Sequence, residues 1–136
     1  MNVLRAAAAA AAFGVAVTAG ALVASPAHAA TYNGACGSGY NVVNSVAVGN
    51  SGTTFLTYNN SNGYNCAVTV RNNPGAAVEM VVALKRTQDD ASQAVQDAGY
   101  YTTYAGPVYL HAAGSCVDWY GYINGANGFK NGTNCG

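Results

Sequence analysis

The residues with the most chemistry to offer are gathered in one short stretch, AGSCVDWYGYI, Ala113 to Ile123. It sets Cys116, Asp118, the single tryptophan Trp119, Tyr120 and Tyr122 within seven positions. Asp118 between aromatic rings suits a sugar-binding site, either as an acid or as a hydrogen-bond acceptor, while Cys116 suits a disulfide that pins a strand. Acid catalysis on a glycosidic bond needs a second carboxyl held roughly 5 to 9.5 Å away. Glu79 and Asp97 are the other acids to weigh, and no local spacing fixes either of them beside Asp118. Asp118 is therefore expected to meet solvent or to accept a hydrogen bond from a tyrosine or the backbone.

Other catalytic patterns are weaker. A serine nucleophile needs a base and an orienting turn, but the serines fall mostly in Gly/Asn turns and no G-x-S-x-G elbow occurs. His111 follows Tyr109 in VYLHAA on the side opposite Val108 and Leu110, as an exposed strand residue would. The cysteines have no C-x-x-C pair and Asp89-Asp90 lacks calcium-loop spacing, so neither a metal site nor a cofactor is expected. No catalytic residue is assigned, and the chain is expected not to be an enzyme.

The positive signal is tyrosine, of which there are 10. A tyrosine buries its ring and leaves its hydroxyl at a polar edge, which suits either an adhesive surface or the margin of a small core. The candidate binding residues are Tyr109, Asp118, Tyr120 and Tyr122. They would join Tyr100, Tyr101 and Tyr104 in one aromatic patch if their strands were neighbours.

The elements that must position these residues begin after a leader. Arg5, the apolar run Ala6 to Ala24 and the A-x-A site at Ala27 to Ala29 predict a signal peptide over residues 1–29 and a single secreted domain over residues 30–136. His28 goes with the leader. The run ends at Ser25 and Pro26 with no stop-transfer charges, so no stable membrane anchor is expected. Beyond the leader, Arg71, Lys85, Arg86 and Lys130 stand against the five acids. Such a chain has no basic patch to neutralise phosphates, and nucleic acid is not an expected partner.

Four cysteines in an exported chain predict two disulfides. Cys36 with Cys66 and Cys116 with Cys135 is the preferred pairing, since each closes a short loop onto a strand start, although crossed pairing stays open. Short runs rich in valine, threonine and tyrosine between Gly/Asn turns predict about seven strands. The first includes YNVVNSVAV, with an irregularity near Asn44 and Ser45. TTFLTYN alternates as a half-buried strand should. In CAVTVR the side of Ala67, Thr69 and Arg71 is expected to face solvent, and in VEMVVALKRT Met80, Val82 and Leu84 share the inner face. Gln88 to Gly99 reads as a helical turn or a long hairpin tip. Gly106 and Pro107 are expected to split Tyr100–Tyr104 from Val108–Ala112, because proline donates no amide hydrogen. In the opening stretch Val117, Trp119, Gly121 and Ile123 share the core side, and the tail NGANGFKNGTNCG reads as turns. The fold class is all-β, a small antiparallel β-sandwich or partly closed barrel.

The ordered set YNGACGSGYNVVNS, NCAVTVRN, YAGPVYLHAAGSCVDW and the terminal NCG resembles the spore-associated protein A family, small exported proteins of filamentous, spore-forming actinobacteria. The resemblance covers most of Tyr32 to Gly136 with all four cysteine positions. It implies export and association with spores or the cell exterior, and it brings no catalytic residues with it. The expectation is a non-enzymatic secreted protein of the spore surface or cell wall, with spore-wall or extracellular polysaccharide and self-association as the partners considered. A carbohydrate-binding module, a secreted enzyme inhibitor or toxin, and a glycoside hydrolase are the alternatives.

Overall fold

The computed structural model of the chain describes residues 29–136. The expected leader, His28 included, lies outside the described residues apart from Ala29. Eight strands follow: β1 (Asn41–Val48), β2 (Gly52–Asn59), β3 (Tyr64–Arg71), β4 (Val78–Arg86), β5 (Val95–Tyr101), β6 (Tyr104–His111), β7 (Val117–Ile123) and β8 (Ala126–Thr133). They form two four-stranded sheets ordered β1-β2-β3-β6 and β5-β4-β7-β8, with every pairing antiparallel. The two sheets stack as a sandwich and do not close into one barrel. The disulfides are Cys36–Cys66 and Cys116–Cys135, the preferred pairing.

Side-chain alternation builds the core. Leu56, Ala67 and Val108 of the first sheet meet Met80, Val82, Leu84, Trp119 and Ile123 of the second. The expected inner faces of β4 and β7 are the ones observed, and β1 carries its irregularity between Val42 and Asn44. On β3 the expectation is reversed. Ala67 and Thr69 lie between the sheets, while Cys66 and Val68 are on the outer face, and all four are buried.

The central strands β2 and β3 are covered on both faces because the Gly/Asn-rich segment 30–40 crosses the outer side of the first sheet. The Cys36–Cys66 bridge ties that strap down, Tyr32 packs on Phe55 at 5.9 Å and Tyr40 meets Tyr109 edge-on at 5.5 Å. Phe55 and Leu56 are therefore both buried, and β2 is not the half-buried strand its alternation suggests.

Three further expectations change. Residues 88–99 combine both alternatives, since β4 and β5 form a hairpin whose tip holds a 3-10 turn at Ala91–Gln93. The break expected at Gly106-Pro107 falls instead at Thr102 and Thr103, and β6 runs through the proline. It does so because β6 pairs only with β3, the register shifts opposite Ala67 and Thr69, and the Gly106 amide donates to Asp97 Oδ2 at 2.8 Å. The tail is strand β8.

The two sheets approach tightly at Gly121. There the Thr54 and Thr69 hydroxyls are buried and bonded to each other at 2.8 Å, and Thr69 Oγ1 donates onward to the Val81 carbonyl at 3.1 Å. A Cβ on Gly121 would overlap Thr54 Oγ1 and approach Thr69 Oγ1 to 2.8 Å. Gly121→Ala is therefore expected to cost about 1–3 kcal/mol through overpacking, read as a lower urea midpoint at unchanged slope.

Candidate functional site

One sheet face stays open. The outer side of β5-β4-β7-β8 presents Tyr120, which lies across from Ala83 on β4 and Phe129 on β8, with Gln96 completing the row on β5. The next row runs through Ala98, Val81, Tyr122 and Asn127. Phe129 is 58% exposed, and Tyr100, at the β5 edge of the same face, is 74% exposed. A groove of about 490 Å³ lies over Ala83 and Tyr120, bounded by Ala91 and Ala94 of the hairpin tip and by Phe129 and Asn131 of β8.

The Lys85–Asp118 ion pair, 3.1 Å between Nζ and Oδ2, also lines this groove. Lys85 donates as well to the carbonyls of Thr87 and Asp89 at 3.2 and 3.0 Å, which pins the turn after β4. Asp118 Oδ1 accepts from the Thr87 hydroxyl at 2.6 Å and the Gly132 amide at 2.8 Å. Burial alone would raise the Asp118 pKa, but the bonds from Thr87 and Gly132 together with Lys85 outweigh it and hold the carboxyl below the usual aspartate range.

Because the folded pKa is depressed, Asp118 contributes stability in full above its unfolded pKa of about 3.9. That contribution is lost as pH falls through the folded value. Asp118→Asn is thus expected to be less stable than the parent at neutral pH, with the gap narrowing below about pH 4 in urea titrations.

The candidate residues divide between two surfaces. Tyr120, Tyr122 and Asp118 share the open face, whereas Tyr109 is on the outer side of the strapped sheet. Its hydroxyl donates to the Cys36 carbonyl at 2.9 Å, and its pKa is raised by burial, with Tyr40 and Tyr32 adding to the effect. Tyr104 is also on the first sheet, and the Tyr101 hydroxyl donates to Asp97, which raises its pKa. The wider aromatic patch is therefore split, and Tyr109 belongs to the strap's seat. His111 is exposed with its ring edge-on to Tyr64 at 5.3 Å.

The three acids weighed above stand apart. Glu79 and Lys85 are six residues apart on β4, so Asp118, the register partner of Lys85, lies on the order of 20 Å along the sheet from Glu79. Asp97 alternates to the inner side and is engaged by Tyr101 and Gly106. Among the described residues no group of three or more histidine, cysteine or acidic side chains is placed to hold a metal ion. No helix among them is long and apolar enough to cross a membrane.

Phe129 is the site residue missed in the sequence. The signal for it was Asn124-Gly125, whose positive φ values of 43° and 98° make the tight turn that pairs Ile123 with Ala126. That two-residue loop fixes the register that places Phe129 beside Tyr120.

Fold and face together define a disulfide-stapled antiparallel β-sandwich with one sheet strapped and the other presenting an aromatic groove. The chain belongs to the spore-associated protein A family: it is 47% identical over 128 residues to spore-associated protein A of Streptomyces coelicolor (strain ATCC BAA-471 / A3(2) / M145), a match covering 89% of this chain and 82% of that relative. No protein-family model and no solved structure matches the chain.

Proposed function

We propose that this chain is a non-enzymatic, secreted protein of the spore surface or cell wall that binds extracellular polysaccharide through the open face of its second sheet. The observation that carries the reading is the pairing of half-buried Tyr120 with exposed Phe129 in a groove also lined by Gln96 and Asn131. A sugar ring stacks its C–H face on aromatic carbon and gives its hydroxyls to neighbouring amides, so apolar floor and polar rim are matched at once. The Lys85–Asp118 pair cancels its own charge, which favours a neutral polymer. The name of the relative supports the location, and two disulfides suit an oxidising compartment outside the cytosol.

Retention of the purified domain on spore-wall and insoluble polysaccharide preparations tests the reading. Tyr120→Ala and Phe129→Ala are each expected to lower retention about tenfold, the loss of a stacking contact worth about 1.4 kcal/mol, with little change in unfolding midpoint. No retention of the parent on any such preparation would sink it. Self-association has one observation behind it: edge strand β1 exposes Val42 and Val43 at 44% and 45%. A concentration-dependent dimer in sedimentation, abolished by Val43→Lys, is what that second reading requires.

A further inference from the structure

A second concavity, about 240 Å³, opens at one end of the sandwich, where Arg71 meets Asn50, Ser51, Asn73 and Asn124 beside Ile123. Its residues come from the β1–β2 turn, the end of β3 with the connection into β4, the start of β4 and the end of β7 with its following turn, and none of them lines the aromatic groove. We propose that this pole binds a phosphate group, with Arg71 as its cationic donor.

The arginine is anchored and electrically unmatched. All its side-chain hydrogen bonds among the described residues leave from Nη1, to the carbonyls of Ala76 (2.9 Å), Tyr101 (3.3 Å) and Thr102 (3.0 Å). The ion pairs among those residues are Lys85–Asp118 and Arg86–Asp89, so no carboxylate neutralises Arg71. Fixing Nη1 holds the guanidinium plane and leaves the Nε and Nη2 edge, whose two parallel N–H groups match two oxygens of an oxyanion. Anchoring the guanidinium through Nη1 in advance lowers the ordering cost of binding.

The surroundings select phosphate over carboxylate. A planar carboxylate is satisfied by the fork alone, whereas a tetrahedral phosphate has further oxygens out of that plane. Three asparagine amides and the Ser51 hydroxyl border the cavity from separate loops and supply neutral donors for them. A single arginine is far from the multi-phosphate footprint that nucleic acid requires, so the ligand is one phosphate group or one phosphodiester at a time.

The test is an NMR titration of the isotopically labelled protein with inorganic phosphate, and separately dimethyl phosphate as the phosphodiester, at constant ionic strength. The Arg71 Nε–H signal and the side-chain amides of Asn50, Asn73 and Asn124 are expected to shift together and saturate in the millimolar range. Arg71→Lys keeps the charge, loses the fork and is expected to abolish saturation. Since Nη1 also holds three carbonyls, Asn73→Asp serves as the variant that spares the fold: Asn73 is exposed, and a carboxylate there is expected to weaken phosphate at least about tenfold by like-charge repulsion. Non-saturating shifts, unaltered phosphate binding by Asn73→Asp, or acetate binding as tightly as phosphate would each overturn the proposal.

Discussion

Trp119→Ala is expected to destabilise the domain by about 3–5 kcal/mol, whereas Tyr120→Ala, the next residue along β7, is expected to cost less than about 1 kcal/mol. The difference comes from the pleat. Trp119 is 2% exposed among the core residues, and its Nε1 donates to Thr133 Oγ1 at 2.8 Å, which joins the core to the last strand before Cys135. Truncation removes the largest fully buried side chain and leaves both a cavity and an indole-sized gap beneath β8. Since small domains hold only about 5–15 kcal/mol in all, the variant would be partly unfolded near physiological temperature. Paired thermal melts check this, and equal midpoints for the two variants would refute the placement of the ring. The contrast also guards the binding assay: lost retention in Trp119→Ala reports an unfolded domain, while lost retention in Tyr120→Ala reports a lost contact.

The same pleat explains what was legible in the sequence. Where one face of a strand meets the core and the other meets water, as in β4 and β7, alternation names the inner residues correctly. It fails on β2 and β3, because a strap from the far side of β1 in sequence covers the side that alternation would leave wet, so both phases are apolar or small. Arg71 then misleads. Its charge reads as a solvent marker, yet it lies in phase with Ala67 and Thr69 at the mouth of the sandwich, where backbone carbonyls take its Nη1. The candidate face was half visible. Tyr120, Tyr122 and Asp118 follow from β7 alone, but which tyrosines join them depends on strand order, and β6 joins β3 rather than β7. Only the Asn124-Gly125 turn carried information across strands, and it pointed to Phe129.

Removing the Cys36–Cys66 bridge is expected to damage the protein more than removing Cys116–Cys135, by a margin that loop length does not account for. The sequence separations are 30 and 19 residues. In the chain-entropy picture those lengths correspond to roughly 3.6 and 3.2 kcal/mol, a difference of only a few tenths. What separates the two bridges is what each holds in place. Cys116–Cys135 fastens a tail whose last cysteine is exposed, and β8 keeps its ladder to β7 without it. Cys36 and Cys66 are both buried, and their bond holds the strap where Tyr32 packs on Phe55 and the Cys36 carbonyl meets the Tyr109 hydroxyl. Residues 30–40 contain no regular element that would hold them there otherwise. The double variant Cys36→Ser, Cys66→Ser should therefore release the strap, wet the outer face of the first sheet and bind a hydrophobic dye, while Cys116→Ser, Cys135→Ser should not. Urea unfolding of the two variants side by side measures the margin. A difference of at least about 1 kcal/mol beyond the entropic one is expected, since uncovering even one large apolar side chain costs about 1.5–3 kcal/mol. Equal losses would mean that the strap stays seated by its aromatic contacts alone.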